Sequence, residues 1–364
     1  MKRLFAGMTA ALLAVILVFS LPVNAISAES AMLMDCTTGR VLYSKHPDQK
    51  SLIASTTKIM TAIVVCEQCN VLDRVKVPKE AVGIEGSSIY LKEGEILTIQ
   101  ELLYGLMLHS GNDAAVALAI YCGGTLEGFV EMMNDKAKAL NLRDTHFENP
   151  HGLDGKDHYS TARDLCVLAS YAMENPIFSK ISSTKTIKIG ERYLRNHNKL
   201  LWQLDGADGV KTGYTKSAGR ILVSSAIRAG SRLVAVTINA PNDWNDHCEL
   251  MNDGFQRYKE SKLISENQIL GTVEIAGGQC KSVELLAKEE YSYYLADDET
   301  IEIRLPPPGF VYAPVAEGQS AGFAQVYLNE KWIGKIALVY GQTIEMERQE
   351  DPSLWEKLLR GNHK

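Results

Sequence analysis

The chain lacks the cysteine pattern of a stapled fold. Its seven cysteines (Cys36, Cys66, Cys69, Cys122, Cys166, Cys248 and Cys280) are odd in number and show neither the spacing of a disulfide framework nor that of a four-ligand zinc site. Cys66 and Cys69 form a C-x-x-C late in an expected helix, with no second pair or histidine at metal-site spacing, so they read as small buried hydrophobes. No metal and no cofactor is implied. Positive charge is also scarce: 38 Lys and Arg face 44 Asp and Glu, and the formal net charge of -6 excludes the electrostatic footprint of a nucleic-acid binder. Internal repeats and low-complexity tracts are missing as well. What remains is an ordinary globular composition, 46% hydrophobic and 23% charged over 364 residues, long enough for two domains.

The N-terminus departs from that average. Lys2 and Arg3 precede an apolar run from Leu4 to Leu21, which ends in two small-residue sites, Val23-Asn24-Ala25 and Ile26-Ser27-Ala28. This is the pattern of a secretory signal peptide over 1–28, and it places the working protein outside the cytoplasm, at the cell wall or the outer face of the membrane. The C-terminal stretch 351–364 puts Leu354, Trp355, Leu358 and Leu359 on one helical face, with Lys357, Arg360 and Lys364 among the polar positions. An amphipathic tail of this kind suits peripheral contact with a membrane surface, and a packed terminal helix reads the same way.

Between these ends the periodicity changes twice. Ser30–Met34 and Arg40–Tyr43 flank a turn and read as a hairpin. Helices follow, one entered through the capping box Thr98-x-x-Glu101, one capped by Thr125 and one entered through Thr161-x-x-Asp164 and stopped at Asn175-Pro176. Strand-like segments then run from Lys185 to Ala240, with an antiparallel meander as the simplest arrangement, and a helix from about Trp244 to Glu260 closes the region. The fold expected for 29–264 is α+β, an antiparallel sheet carrying a helical cluster. From 265 to 350 helical periodicity vanishes and short β-type segments recur, which reads as a separate small all-β domain.

Three stretches carry residues suited to chemistry. Ser55-Thr56-Thr57-Lys58 sets a hydroxyl and an amine three apart where an apolar helical pattern begins, so both fall on one face of its first turn. Burial there would deprotonate the lysine, and the helix start leaves backbone N–H groups free, a nucleophile beside a base. Ser110-Gly111-Asn112 lies on a short corner between two buried helices. Lys211-Thr212-Gly213 lies on a strand, where a cation and a hydroxyl at an edge can grip a terminal carboxylate while a peptide lies antiparallel alongside, Gly213 leaving room for the approach.

Taken together and in this order, the three motifs resemble those of the penicillin-binding D-alanyl-D-alanine carboxypeptidases, the low-molecular-mass serine peptidases of peptidoglycan. The resemblance extends from about Ala31 through the β domain and includes Gly86-Ser87-Ser88, His151-Gly152-Leu153-Asp154, Tyr159 to Asp164, Asn196-His197-Asn198 and Asp208 to Thr215. It implies the penicillin-binding and serine β-lactamase-like fold. It also implies a substrate, the peptidoglycan stem peptide ending in D-Ala-D-Ala, and covalent inhibition by β-lactams. Within that scheme Ser55 attacks, Lys58 accepts its proton and Ser110 relays a proton to the leaving amine. Asn112 holds the substrate backbone or the lysine, Lys211 and Thr212 hold the carboxylate, and the N–H groups of Ser55 and Tyr214 form the oxyanion site. His151 is expected to wall the region and His109 to pack. Glu148 does not match the deacylating glutamate of class A β-lactamases, so slow loss of bound penicillin is expected. An endopeptidase or β-lactamase uses the same chemistry and is poorly separated from this reading. A catalytically silent wall-binding module would be expected to have lost at least one of the five polar side chains.

Overall fold

The computed structural model describes residues 26–307 and 309–347; most of the expected signal peptide and all of the expected tail lie outside the described residues. The chain opens with strands β1 (Ser30–Asp35) and β2 (Val41–Lys45), paired antiparallel as expected. Helix α1 (Lys58–Gln68) follows, then β3 (Arg74–Lys76), β4 (Ile96–Thr98), α2 (Ile99–Leu108), α3 (Asn112–Gly123) and α4 (Leu126–Ala139). After a long loop come α5 (Ala162–Glu174), α6 (Pro176–Ser182), β5 (Thr186–Ile189), β6 (Arg192–Arg195) and α7 (Leu200–Gln203). Strands β7 (Ala207–Thr215), β8 (Gly219–Arg228) and β9 (Ser231–Ile238) lead to α8 (Asp243–Arg257).

The central sheet has the order β2-β1-β9-β8-β7 and is antiparallel throughout. Its middle strands are apolar on both faces because both are covered. Met32, Met34, Val223, Val234 and Val236 point into the core shared with the helical cluster, while Ala31, Leu33, Leu222, Leu233 and Ala235 pack with Leu250 and Met251 of α8. The N-terminal strands thus add to the β7-β8-β9 meander. β5 and β6 do not join it; they form a separate hairpin. Helix α1 is buried from Lys58 through Cys66 and so runs through the middle of the cluster. The expected capping box is present: Thr98 accepts from the Glu101 N–H at 3.2 Å, and the Glu101 carboxylate accepts from the Thr98 N–H at 2.7 Å.

Both ends of this region pack closely. Ile26 and Ala28 are buried, the Ser27 hydroxyl donates to Asp246 at 2.6 Å, and Lys45 Nζ donates to the carbonyls of Ile26 and Ala28 at 2.9 and 2.7 Å. Residues 26–28 are therefore packed into the fold. At the other end of this region, α8 stops at Arg257, and β10 (Lys259–Ile264) pairs with β13 (Tyr291–Leu295). The all-β part begins there rather than at 265; half of β10 is charged, Lys259, Glu260 and Lys262, which hid it. Strands β11 (Ile269–Ala276) and β12 (Ser282–Ala287) precede β13, and β14 (Ile301–Arg304), β15 (Phe310–Tyr312), β16 (Ser320–Leu328) and β17 (Lys331–Tyr340) follow it. They build a six-stranded sheet, β14-β16-β17-β12-β11-β15, with its own core around Val283, Leu285, Ala324, Val326, Ile336 and Leu338. Arg40, after β1, pairs with Glu299 and lies over the rings of Tyr258 and Tyr293, which ties the two parts together.

Candidate active site

Ser55 does not sit in α1 itself. It lies in a short 3₁₀ turn, Ala54–Thr57, that runs into the helix, with Ala54 at φ +45° and the Thr56 N–H donating to the Ile53 carbonyl at 3.1 Å. The turn is held from outside. Thr57 Oγ1 meets His158 Nε2 at 2.7 Å, and Thr61 Oγ1 donates to the Pro150 carbonyl at 2.6 Å, so the 149–154 loop is fastened along the first turns of α1. Gly152 in that loop has φ +86°, and a Cβ there would overlap the Ala54 carbonyl oxygen. Gly152→Ala is therefore expected to cost about 3 kcal/mol, read as a lowered urea midpoint. An unchanged midpoint would show that the loop does not need this approach.

Lys58, wholly buried, reaches three oxygens. Nζ is 3.0 Å from Ser55 Oγ, 2.7 Å from Asn112 Oδ1 and 2.5 Å from the His151 carbonyl. Burial first, and then the nearby Lys211 charge, hold its pKa well below the usual lysine range. A neutral amine suits these neighbours: two N–H bonds satisfy the two carbonyl-type oxygens and the lone pair faces the serine hydroxyl. Asn112 thus holds the lysine through Oδ1, while Nδ2 gives one of its two N–H groups to the Glu85 carbonyl at 2.5 Å. His151 contributes its carbonyl; its ring, pushed down to about 4 chiefly by burial, accepts the Leu153 N–H.

Ser110 sits at φ +62° at the corner before α3, with its hydroxyl buried and without a hydrogen-bond partner among the described residues. Such an orphan is costly unless something docks against it. It faces a cleft of about 340 Å³ also lined by Ser55, Ser87, Thr212, Gly213 and Tyr214. β7 forms the far wall. Among the described residues it pairs with β8 alone, which leaves its other edge open toward Ser55. Gly213 has a different reason from the one expected: a Cβ there would come 3.3 Å from the Ser55 nitrogen and 3.2 Å from the Ile53 carbonyl, so the glycine lets β7 close on the serine turn. Tyr214 follows, its side chain 65% exposed.

Lys211 differs from the expected carboxylate grip. It is 1% exposed, its Nζ donates to the Thr212 carbonyl at 2.9 Å, and burial pushes it down to about 7. The cations that line the cleft are instead Lys199 and Arg220. Arg220 stands opposite Tyr214 in the β7–β8 register, is held by Asp243 at 2.8 and 2.9 Å, and packs with Trp244. His197 lines the same wall, 4.9 Å from the His109 ring and pushed down to about 4 by burial, then by Lys211 and His109. Sequence reasoning missed Lys199, Arg220, Asp243 and Trp244; the one available signal was the pairing of Arg220 with the motif strand. It also missed Asp113, whose carboxylate accepts from Ser88 Oγ and the N–H groups of Ile89 and Leu91, fixing the loop that carries Ser87. Glu148 does not line the cleft; its carboxylate accepts the Asp157 N–H.

Comparison with known proteins agrees with this geometry. A family model described as D-alanyl-D-alanine carboxypeptidase matches residues 18–242, and one described as the C-terminal domain of penicillin-binding protein 5 matches 258–346. The chain is 35% identical over 313 residues to D-alanyl-D-alanine carboxypeptidase DacF of Bacillus subtilis, covering 81% of this chain and 80% of that one. It is 34% identical over 333 residues to DacD of Escherichia coli, covering 86% of each. Among solved structures, penicillin binding protein 5 from Haemophilus influenzae superposes with a TM-score of 0.76 at 29% identity, over 88% of this chain and 98% of that one. The Streptomyces K15 DD-transpeptidase superposes with 0.61 at 36% identity, over 64% and 98%.

Proposed function

The chain belongs to the D-alanyl-D-alanine carboxypeptidase family of serine peptidases, S11, and we propose that it removes the terminal D-alanine from peptidoglycan stem pentapeptides through an acyl-enzyme on Ser55. The observation that carries this reading is the lysine: Lys58 Nζ stands 3.0 Å from Ser55 Oγ with its other two neighbours both acceptors. Ser55 Oγ adds to the carbonyl carbon of the penultimate D-alanine as its proton passes to Lys58. The N–H groups of Ser55 and Tyr214 receive the oxyanion, each such donor supplying roughly 3 kcal/mol of the barrier reduction. The tetrahedral species then collapses, and the departing D-alanine nitrogen takes the proton that Lys58 accepted, the unpaired Ser110 hydroxyl serving as relay once the bound substrate bridges it to the lysine. Water attacks the ester carbon, Lys58 again accepts a proton, and Ser55 regains it on release of the tetrapeptide.

The terminal carboxylate is held by the Thr212 hydroxyl with Arg220 and Lys199, while Lys211 acts from beneath through its charge and lowers the Lys58 pKa. The peptide itself lies along the open edge of β7. A β-lactam presents its carbonyl and carboxylate to the same groups and acylates Ser55. The experiment that tests this is release of D-alanine from diacetyl-lysyl-D-alanyl-D-alanine by the purified protein; no release would overturn it.

The reading places the enzyme outside the cytoplasm, after cleavage of a signal peptide. Cleavage after Ala25, and not after Ala28, keeps the Ser27–Asp246 and Lys45 contacts intact. Mass measurement of the exported protein is expected to show Ile26 at its N-terminus; Glu29 there would contradict this.

A further inference from the structure

Thr57 occupies the N-cap of α1 yet caps nothing: its side chain accepts no N–H from the helix. The hydroxyl, wholly buried, is turned away from the helix end, 2.7 Å from Nε2 of His158, which is itself buried. The other ring nitrogen decides which atom donates. His158 Nδ1 accepts the Glu148 N–H at 3.1 Å, and a backbone N–H can only donate, so Nδ1 carries no proton. Burial first, and then His146, hold the ring's pKa down to about 4, so at neutral pH the single ring proton is on Nε2 and is given to Thr57 Oγ1.

The ring stands at the neck of the loop that supplies the lysine with a carbonyl. His146 and Tyr159 exchange N–H to carbonyl bonds at 2.9 and 3.0 Å across that neck, and Ser51 and Ser160 do the same at 2.9 and 3.1 Å just ahead of the serine turn. Phe147, clamped by Asn134 of α4, packs edge-on against the ring with 5.8 Å between centroids. Inside the loop Asn149 Oδ1 accepts the N–H groups of His151 and Gly152 at 3.2 and 2.7 Å, and the His151 carbonyl accepts from Lys58 Nζ. His158 therefore touches both supports of the amine. Through Thr57 it holds the turn that leads into Lys58, and through Glu148 it holds the start of the loop that ends on Nζ. The ring does not itself line the cleft. Resting on the acyl-enzyme reading above, we propose that His158 is a positioning residue for acylation, holding the Lys58 amine on Ser55 through its Nε2–H bond to Thr57.

Two substitutions separate the two bonds of the ring. An asparagine side chain places an amide oxygen where Nδ1 stands and reaches no further, whereas a glutamine side chain places an amide N–H where Nε2 stands. His158→Asn thus keeps the Glu148 contact and loses the Thr57 one. It is expected to lower kcat, and the rate at which penicillin acylates Ser55, by about 10- to 100-fold with KM nearly unchanged. The acid limb of kcat/KM should also move to higher pH, because a lysine held less firmly regains water and loses the burial that lowers its pKa, with Lys211 and Asp113 as its charged neighbours in both proteins. His158→Gln should recover most of the loss. Thr57→Val should reproduce His158→Asn, with no further loss when the two are combined. A wild-type kcat in His158→Asn, a loss that falls on KM, an acid limb that stays in place, His158→Gln no better than His158→Asn, or additive losses in the double variant would overturn the proposal. If His158→Asn does not fold, Thr57→Val is read in the same way for kcat, KM and the acid limb, and the same results decide. Acylation by penicillin needs no stem peptide, so a wild type that acylated but released no D-alanine would count against the proposed substrate and leave this test intact.

Discussion

Ser55→Ala is expected to lower D-alanine release by at least about 10⁴-fold, since removing a nucleophile leaves only the binding and oxyanion contributions. The substitution is mild elsewhere. Ser55 Oγ has Lys58 as its recorded hydrogen-bond partner, while the hydroxyl that braces the turn belongs to Thr56, donating to the Ile53 carbonyl at 2.5 Å. The folded protein should therefore survive with an unchanged unfolding midpoint, and the loss should fall on turnover. The rival within the same cleft is Ser110, another buried hydroxyl, but it has no base within hydrogen-bond reach among the described residues. A variant that kept releasing D-alanine would make Ser110 the nucleophile and leave Lys58 without its assigned role.

Lys58→Met is expected to lower kcat by about 10³-fold or more with a much smaller change in KM, because the amine acts on the serine proton and does not touch the substrate's carboxylate. The pH dependence gives the sharper reading. Only the neutral amine accepts a proton, so kcat/KM rises as pH climbs through the Lys58 pKa and is lost below it. Burial and the Lys211 charge lower that pKa from the ordinary 10.5, so the acid limb should lie well under the normal lysine range. In Lys58→Met this limb should disappear. Removing the donor leaves Asn112 Oδ1 and the His151 carbonyl unpaired, at a cost of about 1–3 kcal/mol, so an unfolding curve must accompany the kinetics. Retention of both the rate and the limb would move the base elsewhere, with His151, pushed down to about 4, the next titratable group beside it.

How much of this was legible in the sequence depended on how local the cause was. The capping box at Thr98, the opening hairpin and the Ser110 corner are set by residues within a few positions of one another, and each forms where expected. Strands β10, β13 and β15, and helices α6 and α7, are short or charged, and their pairing or packing partners lie elsewhere in the chain, so periodicity carried no signal for them. The hairpin β5–β6 looked like part of the meander because nothing local says which strands share a sheet.

The site divides in the same way. Ser55 and Lys58 are three apart, and their contact follows from one helical turn. The second wall of the cleft does not. Arg220 reaches it through strand register, Asp243 and Trp244 through the start of α8, and Lys199 and His197 through the segment after β6. For Lys211 the motif gives both the strand and a charge near enough to lower the Lys58 pKa; what it does not give is the burial, 1% exposed, which comes from the register and the close packing that Gly213 allows.

The central claim is that Ser55 is the residue acylated. Incubating the protein with penicillin, digesting it and mapping the adduct by mass spectrometry tests this most directly. A single adduct on the peptide carrying Ser55 to Lys58, lost slowly and not turned over many times per second, is the predicted result; an adduct on Ser110 or any other residue, or none at all, would contradict it.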